Sequence, residues 1–296
     1  MKTIVCEQVE RFQLVETEEP VLKQGEAIIR IKRIGICGTD LHAYRGNQPF
    51  FTYPRILGHE LSGFIEEVGE NAAGLQAGDL VGVIPYMHCG ACIACRNGKT
   101  NCCTGLQVLG VHRDGGMREL IAVPISHLVK ADGLTPDQAA ILEPLSIGAH
   151  AVRRSELRAG ETALVIGAGP IGLGVMIFAK QLGANVIAMD MNGERLAFCR
   201  EWAHVDHTVD ARHQAMERLA GLTNGELPSV VFDATGNTRS MTDAFGLVAH
   251  GGKLVYVGLV KADITFHDPE FHKRELTLMG SRNATLEDFE HVKAAL

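Results

Sequence analysis

The stretch Ala163-Leu164-Val165-Ile166-Gly167-Ala168-Gly169-Pro170-Ile171-Gly172 decides how this chain folds. A short apolar run feeds directly into a G-x-G-x-x-G turn, which opens a helix and starts a strand–helix–strand unit. In that setting the pattern is specific, whereas an isolated glycine turn is not. Gly167 permits the tight turn, Gly169 lets backbone come close to a pyrophosphate, and Gly172 lets the helix pack on the strand. The helix N-terminus adds partial positive charge. Pro170 falls in the first turn, where its missing N–H costs little, and Ile171 completes the loop.

Outward from that turn the rhythm is regular. Five more β-type runs follow: 185–190 (NVIAMD), 207–210 (HTVD), 230–235 (VVFDAT), 253–259 (KLVYVGL, with Gly258 a further candidate contact to the nucleotide) and 276–281 (LTLMGS). Segments of helix length lie between the runs, among them Glu194–Ala203 and His213–Leu222. Alternating strands and helices predict a doubly wound α/β sheet over residues 151–284. Asp190 ends the second run, eighteen residues after Gly172. A carboxylate there accepts hydrogen bonds from ribose hydroxyls and repels a 2′-phosphate, which favours NAD over NADP. Arg195, five residues on, either softens that preference or sits on a helix surface.

Residues 1–150 have another texture, with short β-like runs broken by Gly, Pro and Asp: Ala27–Ile34, Leu61–Val68, Leu80–Ile84 and Leu120–Val123. They predict an irregular, mostly antiparallel β domain. At 296 residues the chain has room for both domains. A hydrophobic fraction of 46% with 21% charged residues fits a globular protein and excludes a disordered one. The net charge of −7, without a run of five or more like charges, offers no bulk electrostatic footprint for nucleic acid. No apolar run is long enough for a membrane span, Ile171–Ala179 being the longest, and the first residues lack the apolar core of a signal peptide. The chain therefore reads as cytoplasmic, without nucleic-acid or membrane partners.

Five of the eight cysteines fall within fifteen residues: Cys89, Cys92, Cys95, Cys102 and Cys103. In a reducing compartment such a cluster reads as a metal site rather than a disulfide framework. Four thiolates at this spacing can enclose one tetrahedral zinc and leave no open position, the mark of a structural site. Spacing alone leaves Cys102 or Cys103 as the fourth ligand. His88 reads as a surface residue, and Cys6 and Cys199 as core. A second set is dispersed: Cys37, Thr39 and His42 in GICGTDLH at 35–42, His59 and Glu60 in GHE at 58–60, and Glu143 in EPL at 143–145. One thiolate, one imidazole and one or two carboxylates make a mixed shell of the kind that keeps a position open for water or substrate.

Together these motifs resemble the zinc-containing medium-chain dehydrogenases of the alcohol dehydrogenase superfamily, over essentially the whole chain. The resemblance rests on GICGTDLH at 35–42, G-H-E-x2-G-x5-G at 58–69, the cysteine lobe at 89–103, EPL at 143–145 and GAGPIG at 167–172. It implies an α/β plus β architecture, with a GroES-like catalytic domain at 1–150, a Rossmann domain at 151–284 and the active site in the cleft between them. Residues 285–296 are then the start of a helical segment returning to the catalytic domain, cut short at Leu296. The resemblance makes Cys37 and His59 ligands of the catalytic zinc and Cys103 the fourth ligand of the lobe. Glu60 and Glu143 match the glutamates of the sorbitol and threonine dehydrogenase branch, where the pair shares direct ligation and a water-mediated role. It also implies a homo-oligomer, dimer or tetramer, paired through the sheet edge.

The chemistry so implied is oxidation of a secondary alcohol. Zinc lowers the pKa of the alcohol and NAD takes the hydride. Thr39 has a hydroxyl that both accepts and donates, and histidine, here His42, is the side chain that ordinarily titrates near neutrality. The resemblance joins them in a proton relay. The longer strings at 46–55, 110–116, 268–275 and 280–285 are similar to sugar-acid dehydrogenases of that branch, with polyol or L-threonine as the alternative substrates. A sugar acid needs a cation for its carboxylate, and Arg282, then Arg113, are the candidates. A non-catalytic binding protein on the same fold would have lost metal ligands, and both sets are complete here.

Overall fold

A computed structural model of the chain describes residues 1–48 and 51–296, so Pro49 and Phe50 of the 46–55 string lie outside the described residues. The chain forms two compact units, Met1–Glu143 with Ala284–Leu296, and Pro144–Asn283. Residue 150, where the sequence texture changes, falls inside the helix Leu142–Ser155. That helix runs on because Leu145, Ala149 and Val152 repeat at three- and four-residue spacing and are all buried. Pro144 sits in its first turns, where proline is tolerated.

The first unit is built on a five-stranded antiparallel sheet in the order Leu120–Pro124, Glu26–Gly35, Glu60–Val68, Leu80–Val83 and Leu128–Lys130. Alternation puts Ala27, Ile29, Leu61, Ile65, Val81, Val83, Ile121 and Val123 into one buried cluster. Two-stranded ribbons flank the sheet: Lys2–Gln8 with Arg11–Glu16, and Tyr86–Met87 with Gln107–Val108. The helix Leu286–Ala295 is the last element of this unit and buries Phe289 and Val292 completely.

The second unit is a six-stranded parallel sheet in the order His207–Asp210, Asn185–Asp190, Thr162–Ile166, Val230–Asp233, Lys253–Tyr256 and Thr277–Gly280. The strand order reverses at Thr162–Ile166. In doubly wound sheets a ligand binds beyond the carboxyl ends of the strands at that switch point, which is where the glycine turn leaves. All six expected strands are present, three of them shorter than predicted. The run 253–259 stops at Tyr256 because the N–H groups of Val257 and Gly258 both turn to the carbonyl of Asp233. The helix expected from His213 begins at Ala215, since Gln214 takes a left-handed conformation with φ 46° that no helix can incorporate. Among the described residues no helix is long and apolar enough to cross a membrane.

Candidate functional site

In the second unit, Gly167 has φ 98°, a conformation that favours glycine. A Cβ on Gly172 would drive into the carbonyl of Gly167, whereas one on Gly169 would meet nothing within 4 Å. The loop is thus closed toward the protein and open on the side where Gly169 caps the helix Pro170–Gln181, with no side chain bonded to the cap. Asp190 braces this loop: Oδ2 accepts from the Ala168 N–H at 2.7 Å and Oδ1 from the Asn192 N–H at 2.8 Å. Arg195 is exposed in the first turn of Gly193–Trp202, its own N–H bonded to the Asn192 side chain at 3.1 Å. Gly258 lies against the backbone of Gly236, so close that a side chain there would collide. Ile171 is half-buried in the first turn of the helix.

In the first unit, two strand ends make the mixed site. The pairing of Gly35 with Glu60 sets the end of Glu26–Gly35 beside the start of Glu60–Val68. Cys37 follows the first strand and His59 precedes the second, so a donor atom of Cys37, of His59 and of Glu60 all lie within 4.8 Å of one another. Gly35 has to be glycine, because the Cβ of Glu60 would stand 2.7 Å from any Cβ placed there. Asp40 ties the two segments: its carboxylate accepts from the Cys37 N–H at 2.9 Å and the Gly58 N–H at 3.3 Å, and lies 3.8 Å from His59 Nδ1. Glu143 is not one of the three clustered donors. It is 3% exposed, Tyr86 donates its phenol hydrogen to Oε1, and Oε2 has no partner.

Burial dominates the electrostatics of this site. It pushes the Cys37 thiol up to about 12 and Glu143 up to about 8, Tyr86 opposing the latter shift. It raises Glu60 as well, and lowers His59 despite the nearby Asp40. A thiol and two carboxyls therefore lie where their anionic forms are unwelcome without a cation, beside an imidazole that burial keeps neutral and able to ligate one. The buried Nδ1 of His59 and Oε2 of Glu143 are both orphaned. This donor set of sulfur, nitrogen and oxygen fits zinc with a position to spare.

The cysteine lobe resolves the sequence ambiguity. Cys89, Cys92, Cys95 and Cys103 bring their sulfurs within 4.8 Å of one another, while Cys102 is exposed and outside the group. Backbone N–H groups point at these sulfurs, from Cys89 to Cys103 Sγ at 3.3 Å and from Cys92 to Cys89 Sγ at 3.4 Å. The N–H groups of Cys95 and Thr104 pull the Cys92 thiol down to about 5. Four sulfurs, some held toward the thiolate form, fit a closed tetrahedral zinc. His88 is half-buried rather than a surface residue, its ring 5.0 Å from that of buried His127. Cys6 and Cys199 are core residues as expected.

Thr39 and His42 share the helix Gly38–Tyr44, Thr39 half-buried and His42 exposed. Arg282 is exposed just beyond the last strand and engaged with other groups of the chain, and Arg113 is exposed on a tight turn. Two residues escaped the sequence reading. Asp40 stood inside a quoted motif, and its place three residues after Cys37 is the spacing of a carboxylate that bonds back to a helix start. Tyr86 carried no signal at all, since only the fold brings it to Glu143.

Comparison with known proteins agrees with this geometry. Residues 23–133 match the model of the alcohol dehydrogenase GroES-like domain, and residues 170–296 that of the zinc-binding dehydrogenases. The chain is 46% identical to the L-galactonate-5-dehydrogenase of Escherichia coli K12, over 99% of this chain and 86% of that protein. It is 32% identical to the sorbitol dehydrogenase of Bacillus subtilis 168, over 95% of this chain and 81% of that protein. Among solved structures, an alcohol dehydrogenase of Escherichia coli CFT073 complexed with NADH superimposes with a TM-score of 0.92 at 32% identity, covering 99% of this chain and 86% of that one. The chain belongs to the zinc-binding, GroES-like medium-chain alcohol dehydrogenases.

Proposed function

We propose that the protein oxidises a secondary alcohol of a sugar acid such as L-galactonate, with NAD as the hydride acceptor. The observation that carries this reading is the convergence of Cys37, His59 and Glu60 with an orphaned, buried imidazole nitrogen. Cys37, His59 and Glu60 would hold the catalytic zinc, with Glu143 beside them, and Cys89, Cys92, Cys95 and Cys103 the structural one. Bound there, zinc supplies Lewis-acid activation of the alcohol and NAD supplies the hydride acceptor. The glycine turn at 167–172 receives the pyrophosphate, and Asp190 selects the unphosphorylated ribose. Thr39 would accept the alcohol proton while passing its own on through a ribose hydroxyl of the cofactor to His42, which is exposed and returns a proton to water. Arg282 or Arg113 pairs with the substrate carboxylate. The sugar-acid class rests on the 46% identity to an L-galactonate-5-dehydrogenase. Association of copies belongs to the same reading, and the free edge strand Thr277–Gly280 is available for it.

The test is NAD reduction with L-galactonate, sorbitol and L-threonine side by side, with zinc measured on the same sample. Turnover of the hexonate above the other two, at two zinc ions per chain, is the expected result. Turnover of threonine or sorbitol alone would overturn the substrate, and absence of zinc beyond the lobe would overturn the site.

A further inference from the structure

The structure assigns Tyr86 a positioning role: its phenol holds one oxygen of Glu143, so that the other is the single carboxylate atom that residue offers to the catalytic metal. The inference rests on the zinc reading above and goes beyond it by distinguishing the two glutamates. Glu60 belongs to the cluster with Cys37 and His59, and Glu143 does not.

Tyr86 is itself held from several sides. Its backbone pairs with Val108 in the short ribbon, its carbonyl lies 3.2 Å from His127 Nε2, and its ring meets Phe289 edge-on with centroids 6.3 Å apart. The residue is 4% exposed, so the phenol cannot exchange its partner for water. It donates to Glu143 Oε1. A phenol has one hydrogen to give, which leaves Oε2 buried and unpartnered.

A free carboxylate turns readily about its last torsion, which is broad and two-fold, and can offer either oxygen or both. Binding through both would fill the position that a catalytic zinc keeps for water or substrate. With Oε1 engaged by Tyr86, Glu143 can act only through Oε2. Tyr86 thus keeps Glu143 a one-oxygen partner in a fixed orientation, the part that groups behind a metal's ligands commonly play.

The experiment uses the full-length, zinc-loaded protein and its Tyr86→Phe variant, which keeps the ring on Phe289 and removes only the hydroxyl. Zinc affinity at each site is read by competition with a chromogenic chelator. The expected result is a loss of about 10- to 100-fold at the catalytic site, with the lobe zinc and NAD binding unchanged. In a Glu143→Gln background the same change should have less than about a threefold effect, because a residue acting through Glu143 is not additive with its loss. Unchanged or tighter catalytic zinc in Tyr86→Phe overturns the proposal, as does an equal loss in the Gln background or loss of the lobe zinc. A wild-type chain that binds only one zinc, with Cys37→Ser no different, overturns the zinc reading itself and this inference with it.

Discussion

The helices Leu142–Ser155 and Pro170–Gln181 touch through a pair of glycines that are not equivalent. A Cβ on Gly148 would stand 2.8 Å from Gly174 Cα and 2.6 Å from the Val175 nitrogen, whereas one on Gly174 would meet Gly148 Cα at 3.6 Å. The atom nearest to the Gly148 Cβ, the Gly174 carbonyl carbon, would be only 2.4 Å away. Ordinary contact begins near about 3.5 Å, so Gly148→Ala must push the helices apart by about 1 Å while Gly174→Ala pushes nothing. Both changes gain the same helix propensity, about 1 kcal/mol, and it cancels when the variants are compared. What remains is the overpacking cost, about 1–3 kcal/mol, borne by Gly148→Ala alone. Because the displaced helix starts at Gly169, that variant should also weaken NAD binding several-fold, and Gly174→Ala should not. Urea unfolding of both variants and a fluorescence titration with NADH measure the two effects. Equal stabilities, or a larger loss in Gly174→Ala, would refute the reasoning.

Three further outcomes follow from the sites. Cys103→Ser should cost the chain one zinc and Cys102→Ser none, read by metal analysis after gel filtration. Thr39→Val should lower alcohol oxidation by about 100-fold or more while leaving the NAD dissociation constant within about twofold, as expected when a proton-transfer group is lost. A variant that kept full turnover would end the relay. Asp206 gives a pH-dependent stability. Burial pushes its carboxyl up, but Lys180 at 2.8 Å and the Val186 N–H at 2.6 Å outweigh burial and hold it below the usual range. A depressed carboxyl stabilises the fold above its ordinary pKa of about 3.9 and loses that contribution as pH falls through its lowered value. The urea midpoints of wild type and Asp206→Asn should therefore differ most near neutrality and converge below about pH 3.

The fold was legible wherever burial imposes a pattern. Parallel strands covered on both faces read as apolar runs, so 185–190 and 207–210 came out with the bounds the structure has. Ends set by one backbone conformation were not legible, as with Gln214, whose left-handed φ has no counterpart in composition. The cysteine lobe is local and its spacing nearly gave the ligand set, leaving Cys102 against Cys103 for the structure to separate. The mixed site could be named only piecewise. Cys37 and His59 become neighbours through the Gly35–Glu60 pairing, and Tyr86 reaches Glu143 across an interval that no motif spans. Arg282 and Arg113 gained no support as a pair, since the first is already engaged and the second stands on an exposed turn.

The first unit is assembled from two stretches of chain, with all of the second unit between them. During synthesis its sheet is complete long before Phe289, which is fully buried against Tyr86, has been made. The second unit, residues 144–283, is made in that interval. Metal loading inherits this order. The lobe needs only residues 89–103 and can take its zinc early. On the proposed reading Glu143 stands beside the Cys37 site, and Tyr86 links it to the last helix, so that site would be the final part to mature. Nascent chains halted before Phe289 should therefore bind one zinc, in the lobe, and complete chains two.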